Sequence, residues 1–221
     1  MKILSNGFLI HARDYQETSS IINIFTADKG IQSLLFKGKY TNKDRFKFSI
    51  FKEYSFSYDD KYNLPYLSRF EAINDYDFDK KYYLLGLYIN ELLYKTLKEG
   101  YDFEKIYTHY REFLINLSIS SDTLNRLALL FEKTLLQDLG YELTFSEETN
   151  IQEKQFYDYD INNGFKLSSS RNKDSLSGEE LKSFFTNTLS CEVTISNLRA
   201  ILRRIYKEIY PNINLLGDKL F

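Results

Sequence analysis

Between Lys37 and Lys52 the chain sets six basic residues and one acid among four aromatic rings. Lys37, Lys39, Lys43, Arg45, Lys47 and Lys52 interleave with Tyr40, Phe46, Phe48 and Phe51. Cations at this density attract phosphates, and the rings between them offer faces on which bases stack. That is the chemistry of a groove tracking a single-stranded nucleic acid. The same residues also suit a solvated hairpin whose lysines keep an exposed strand from pairing with other chains. Taken alone, the segment leaves these two readings level. Its charge is a local property, because the whole chain carries a formal net charge of only −2.

A second basic feature lies near the end of the sequence. Arg199, Arg203 and Lys207 are spaced four apart and share one face of a helical pattern, while Leu198, Ile201, Leu202, Ile205 and Ile209 share the other. Such a stripe fits phosphate or an acidic peptide, and it equally fits an ordinary solvent face. Charge is clustered elsewhere too: residues 53–77 and 142–163 are acidic, and 195–221 are basic.

Motifs for bond-making chemistry are missing. There is no phosphate loop and no Gly-x-Gly-x-x-Gly, and the nine glycines are scattered. His11 lies in a strand pattern, and His109 on the polar side of a helical one; neither has a neighbouring Ser or Cys in a motif that suggests a nucleophile. Asp59-Asp60 and Glu147-Glu148 look like loop charge. The single cysteine, Cys191, forms no intramolecular disulfide, and with two histidines it cannot build the usual zinc site. A non-enzyme without metal or cofactor is expected. No apolar run reaches membrane-spanning length and no signal-like segment precedes the first strand, which points to the cytosol and away from a membrane.

The elements that must position these residues fall into two kinds. Phe8–Ala12, Ser20–Thr26, Ile31–Phe36, the alternating Phe46–Tyr58 and Leu64–Ala72 read as five short strands, with Asp28-Lys29-Gly30 as a hairpin turn. Five strands in about seventy residues suit a small barrel, and the OB-fold is the common five-stranded one. From Asp79 the period becomes helical: Leu84, Leu85, Tyr88, Leu92 and Leu93 form one stripe, and Phe103 to Leu117 carry a second. A third helix is expected from an N-cap at Asp122 to a stop at Gly140. Residues 142–175 are polar and acidic, a hairpin or a loop, with Asn162-Asn163-Gly164 as a tight turn. Ser177 and Glu180 form a capping box, and a last helix spans about Ser196–Tyr210 before Pro211. The expected class is α+β: an OB-fold β-barrel domain over residues 1–77, then a mainly helical domain over 78–221 with an irregular 142–175 insert.

The order of these features resembles one known family, RecO, the bacterial recombination mediator. Glu17-Thr18-Ser19 followed by Phe25-Thr26, Gly30 and Lys37-Gly38 is similar to its N-terminal signature. Leu67 to Glu71 resembles its final barrel strand, and Leu87 to Leu93 its first long helix. Phe131-Glu132, Leu135-Leu136 and Leu139-Gly140-Tyr141 resemble its third helix and the turn after it. Gly164-Phe165 and Leu216 to Leu220 are fainter echoes. Order and spacing through most of the chain carry the resemblance, rather than any single motif. Three departures stand out. The four-cysteine zinc module of many members has no counterpart in 142–175. Leu129 and Leu130 replace basic residues that some relatives place before the Phe-Glu, with Arg126 one turn earlier. The family's common C-terminal Ser-Arg is not seen after Leu220.

The resemblance implies a mediator of DNA repair and homologous recombination. It would bind single- and double-stranded DNA, anneal complementary strands, and work with RecR to load RecA onto strands coated by single-stranded-DNA-binding protein (SSB). The part of RecF is left open. The resemblance also implies a site for the SSB C-terminal tail on the helical domain, and a cytoplasmic, nucleoid-associated location. Arg13, Lys37, Lys39, Lys43, Arg45 and Lys47 are the expected phosphate contacts. Tyr40, Phe46 and Phe48 are stacking candidates, although Phe46 and Phe48 share the parity of barrel-core positions. Arg126, Arg199, Arg203 and Lys207 form the candidate SSB-tail or second basic face. The alternative is a non-catalytic adaptor with a structural barrel, whose helical domain binds SSB or RecR. A nucleic-acid enzyme with converging carboxylates is a third class.

Overall fold

The computed structural model describes residues 2–37, 48–59, 61, 63–119, 121–141, 143–144, 151–172 and 174–216. Packing divides the chain into two compact units, Met1–Ser120 with Leu215–Phe221, and Ser121–Asn214. The change from strand to helix comes just after residue 77, as the periodicity predicts, but the division of packing comes later. The first two helices belong to the barrel's unit because they bury the barrel's outer face.

Strands β1 (Lys2–Tyr15), β2 (Ser19–Thr26), β3 (Gly30–Lys37), β4 (Lys52–Asp59) and β5 (Tyr66–Asp75) close into a barrel in the order β1-β2-β3-β5-β4. All pairings are antiparallel except the short β3–β5 closure, where Leu35 sits beside Tyr66. This is the five-stranded OB architecture. β1 runs longer than its apolar stretch because it serves two neighbours. Residues 2–8 pair with β4 and residues 7–15 with β2, with a bulge between Leu9 and His11 that re-aims the strand. Leu9, Ile22, Ile24, Leu34, Phe48, Tyr54, Phe56 and Tyr58 fill the interior. The expected single strand Phe46–Tyr58 is interrupted. Residues 48–51 turn, Phe51 adopts a positive φ of 63°, and β4 begins at Lys52. The alternation of aromatics across that turn arises because Phe48 reaches back into the same core as Tyr54, 4.6 Å between ring centroids.

Helices α1 (Lys80–Thr96) and α2 (Glu104–Ile119) form a layer on the barrel's outside. Phe8 and Phe25, opposite each other on β1 and β2, are both 0% exposed. Their rings meet Tyr107 at 5.1 and 5.4 Å and Tyr110 at 4.9 and 6.1 Å. Each such ring contributes about 1.5–3 kcal/mol of transfer free energy. Between these apolar contacts lies buried Glu53 of β4. Its carboxylate accepts hydrogen bonds from Tyr107 (2.8 Å), Arg111 (2.5 Å) and Asn74 (2.7 Å). Burial alone would raise the Glu53 pKa, but the three donors outweigh it and hold the carboxyl below its ordinary value. Leu84, expected on the buried stripe of α1, is instead 47% exposed, because the helix turns Leu85, Tyr88, Ile89 and Leu92 inward.

In the second unit, α3 (Leu124–Asp138) packs on α5 (Glu192–Ile209). The N-cap of α3 is Thr123, whose hydroxyl accepts from the Arg126 amide; the expected cap, Asp122, pairs instead with the Arg126 guanidinium at 3.2 Å. Gly140 takes φ 87° just past the helix end, where a side chain would be strained. The insert contains a hairpin, β6 (Phe156–Asp160) and β7 (Gly164–Leu167), joined by two-residue β8 (Leu176–Ser177). Asp160 closes its turn by accepting from the amides of Asn162 and Asn163. The capping box opens α4 (Gly178–Phe185) as expected. Buried Lys133 donates to the carbonyls of Phe184 and Phe185 and to Asn187, placing a cation at the negative end of α4; burial pushes its pKa down. α5 begins at Glu192, four residues before the expected start, with Cys191 at its N-cap.

Candidate nucleic-acid interface

OB-folds generally take oligonucleotides on the β2–β3 face, between the loops joining β1 to β2 and β4 to β5. Much of that face is closed here. On β2 the outward residues Ile21, Asn23 and Phe25 are 6%, 4% and 0% exposed, and Phe25 lies under Tyr107 and Tyr110. Among the described residues, the exposed part of that face lies where the β1–β2 turn, the end of β3 and the start of β5 converge. The Leu35 amide donates to the Pro65 carbonyl at 2.7 Å, which fixes the β3 end beside β5.

Two predicted phosphate contacts lie at this end. Arg13 is exposed on β1 and pairs in register with Ile21; Lys37 is exposed on β3 and pairs with Ser19. Paired residues share a sheet face, so both cations lie on the barrel's exterior, flanking β2. The Lys37 ammonium sits over the Tyr66 ring, 5.1 Å from its centroid, and Tyr66 is 37% exposed. Contact with a ring face favours the cation without neutralising it. Tyr66 was not singled out from the sequence; its signal is its place straight after Pro65 at the start of a strand.

The remaining predicted contacts Lys39, Lys43, Arg45 and Lys47, with Tyr40 and Phe46, lie outside the described residues. Phe48 is 0% exposed in the barrel core, between Tyr54 and Phe70, so it is not a surface stacking platform.

The second basic set is not brought together as a surface. Arg199 is 2% exposed and faces inward. Its guanidinium donates to Glu132 through Nη2 (2.9 Å) and Nε (3.3 Å), and to Asn125 through Nη1 (2.7 Å). A spacing of four places residues on one helix face, but that face of α5 begins inside the unit. Arg203 is half-buried and Lys207 is exposed. Arg126 donates to the backbone carbonyls of Leu189 and Asn187 and pairs with Asp122, so its cation is engaged within the fold. Leu129 is buried at 1% exposure.

Among the described residues no three His, Cys, Asp or Glu side chains converge as a metal site, and no helix is long and apolar enough to cross a membrane.

Comparison with known proteins agrees with the barrel-then-helix order. The family "Recombination protein O N terminal" matches residues 1–76, and "Recombination protein O C terminal" matches residues 77–184. A protein of Psychromonas ingrahamii named DNA repair protein RecO is 30% identical over 97% of this chain and 93% of its own length. Proteins of the same name from Tolumonas auensis and Coxiella burnetii are 27% and 28% identical, over 99% and 90% of this chain and 94% and 89% of theirs. Among solved structures, Entamoeba histolytica asparaginyl-tRNA synthetase in complex with asparaginyl-adenylate gives a TM-score of 0.30 at 11% identity, over 97% of this chain and 59% of that one; so loose a superposition establishes no shared fold. Both halves of one family match in chain order, and relatives align over nearly the full length of each partner: this chain belongs to the RecO family of DNA repair proteins.

Proposed function

We propose that the barrel of this RecO-family protein binds single- and double-stranded DNA through Arg13, Lys37 and the basic run that continues through Lys39, Lys43, Arg45 and Lys47. The observation that carries this reading is the exposed pair Arg13 and Lys37, on one exterior face of the barrel flanking β2. A surface that neutralises phosphates and leaves base edges free lets two complementary strands approach and pair, which is annealing without bond-making chemistry. With RecR, the protein would then help load RecA onto strands coated by SSB, with or without RecF, in the cytoplasm and at the nucleoid. In this reading DNA is held on residues 1–77 and protein contacts are made on 78–221. Of the residues first considered for the SSB tail, exposed Lys207 keeps that role in this reading. Arg126 and Arg199 are engaged internally.

Fluorescence anisotropy with a short labelled single strand tests the reading. Changing Lys39, Lys43 and Lys47 together to Glu should abolish binding at low salt. Undiminished binding by that variant would overturn it. Capture of SSB or RecR by the same variant would then favour the adaptor alternative.

A further inference from the structure

We propose that the recess beside the β1 bulge is a nucleobase pocket, which takes one base of a single strand whose phosphate is held by Arg13. The proposal rests on the reading of the barrel as a DNA-binding surface and names where base contact occurs. Among the described residues, β1 pairs with β4 only as far as Phe8 and continues beside β2, so the other edge of residues 9–15 carries no paired strand there. There a recess of about 520 Å³ is bounded by β1 residues 9–12, by Ser49 and Ile50, and by Tyr83 and Leu87 of α1. Its walls are mainly apolar, with one aromatic ring and two polar side chains, His11 and Ser49. That combination fits a flat heteroaromatic group with a hydrogen-bonding edge.

Both rings at the recess are held in place. Tyr83 is 45% exposed, yet its ring stands edge-on to buried Phe51, with centroids 5.3 Å apart at 86°. Phe51 reaches that position with a left-handed backbone, φ 63°, and its ring occupies the space of a missing side chain at Gly86. A Cβ there would lie 2.7 Å from the Phe51 ring. A strained aromatic residue and a glycine inside a helix are both unfavourable locally, and here they converge on the setting of one exposed ring. His11 is equally fixed. It stacks on Tyr94 at 4.5 Å and 12°, and its Nδ1 faces the Asn23 Oδ1 at 3.2 Å. The Asn23 amide nitrogen donates to Ser33, so its oxygen accepts from the His11 Nδ1–H, and Nε2 is the ring nitrogen left to meet a base edge.

Arg13 selects a nucleotide over an apolar side chain as the occupant. It follows His11 by two residues on the same outward face of β1, a rise of about 6.6 Å. A cation at that separation from an aromatic recess matches the base and phosphate of a single nucleotide.

The test uses the full-length protein and two labelled probes of equal length: oligothymidylate, and an oligomer of the same backbone without bases. Stacking of one base should make the wild type prefer oligothymidylate by about 5- to 150-fold. Tyr83→Ala should remove most of that preference without changing the salt dependence, and Tyr83→Phe should retain it. Equal binding of both probes by the wild type, or full preference in Tyr83→Ala, would overturn the pocket alone. Failure of the wild type to bind either probe would overturn the DNA-binding reading and the pocket with it.

Discussion

Arg199 lies against Glu132 inside the second unit, its Nη2 2.9 Å from Oε1, with side-chain exposures of 2% and 0%. The pair joins α5 to α3, and Asn125 takes a further guanidinium proton at 2.7 Å. Removing one partner strands the other charge away from water, which costs about 3–5 kcal/mol. Arg199→Ala and Glu132→Ala should therefore each lower the urea midpoint strongly. Under conditions where Arg199→Ala stays folded, its DNA affinity and salt dependence should match the wild type. A variant of normal stability with weakened DNA binding would return Arg199 to the surface role first considered for it.

How legible such features were depended on whether the signal was local. β2 and β3 were readable because short apolar runs lay between clear turns. The capping box at Ser177 and the stop at Gly140 are likewise local chemistry. Arg199 was misplaced because spacing of four defines a helix face without saying what lies against it, and Glu132 is 67 residues away. The turn at 48–51 was missed because Phe48 and Tyr54 share one core, so parity stayed regular across a break in the strand. Closure of the β2–β3 face was also hidden: Phe8, Phe25 and Tyr107 meet only in three dimensions. For the candidate site, Arg13 and Lys37, expected as phosphate contacts, lie exposed on the barrel's exterior, whereas Tyr66 and the Tyr83 recess depend on tertiary contacts.

Glu53 gives a pH dependence with a definite sign. Its folded pKa is depressed, so its stabilising contribution is fully present above the unfolded value, about 4.3. That contribution is lost as pH falls through the folded value. Glu53→Gln should cost about 1.5–3 kcal/mol at pH 7, the range for hydrogen bonds to a charged group. The lower half of that range is favoured because the Arg111 side chain is 40% exposed and keeps water when unpaired. Denaturation curves at pH 7, 5, 4 and 3 should show the gap between wild type and variant narrowing below about pH 4. A gap that stayed constant to pH 3 would mean that the carboxylate charge contributes little.

Gly86 and Phe51 should be coupled with a change of sign. Gly86→Ala alone drives a methyl to within 2.7 Å of the Phe51 ring, and overpacking of that kind costs about 1–3 kcal/mol. In a Phe51→Ala background the ring is gone, and the same substitution should gain the helix-propensity difference of about 1 kcal/mol. A double-mutant cycle read by urea denaturation measures both values. Additive effects would show that the two residues do not share that space.

Phosphate contacts are countable by salt. For a single strand, each neutralised phosphate contributes about −0.7 to the slope of log affinity against log salt concentration. If Arg13 and Lys37 each hold one phosphate, Arg13→Gln and Lys37→Gln should each flatten the slope by about that amount, and the double variant by about twice it. Binding should weaken at every salt concentration, for any base sequence, because contacts to phosphate carry no sequence information. Lys207→Gln should leave the slope unchanged if the second unit does not touch the strand. A shallow slope in the wild type would argue against phosphate contacts, and a loss confined to Lys207→Gln would move the DNA from the barrel to the helical unit.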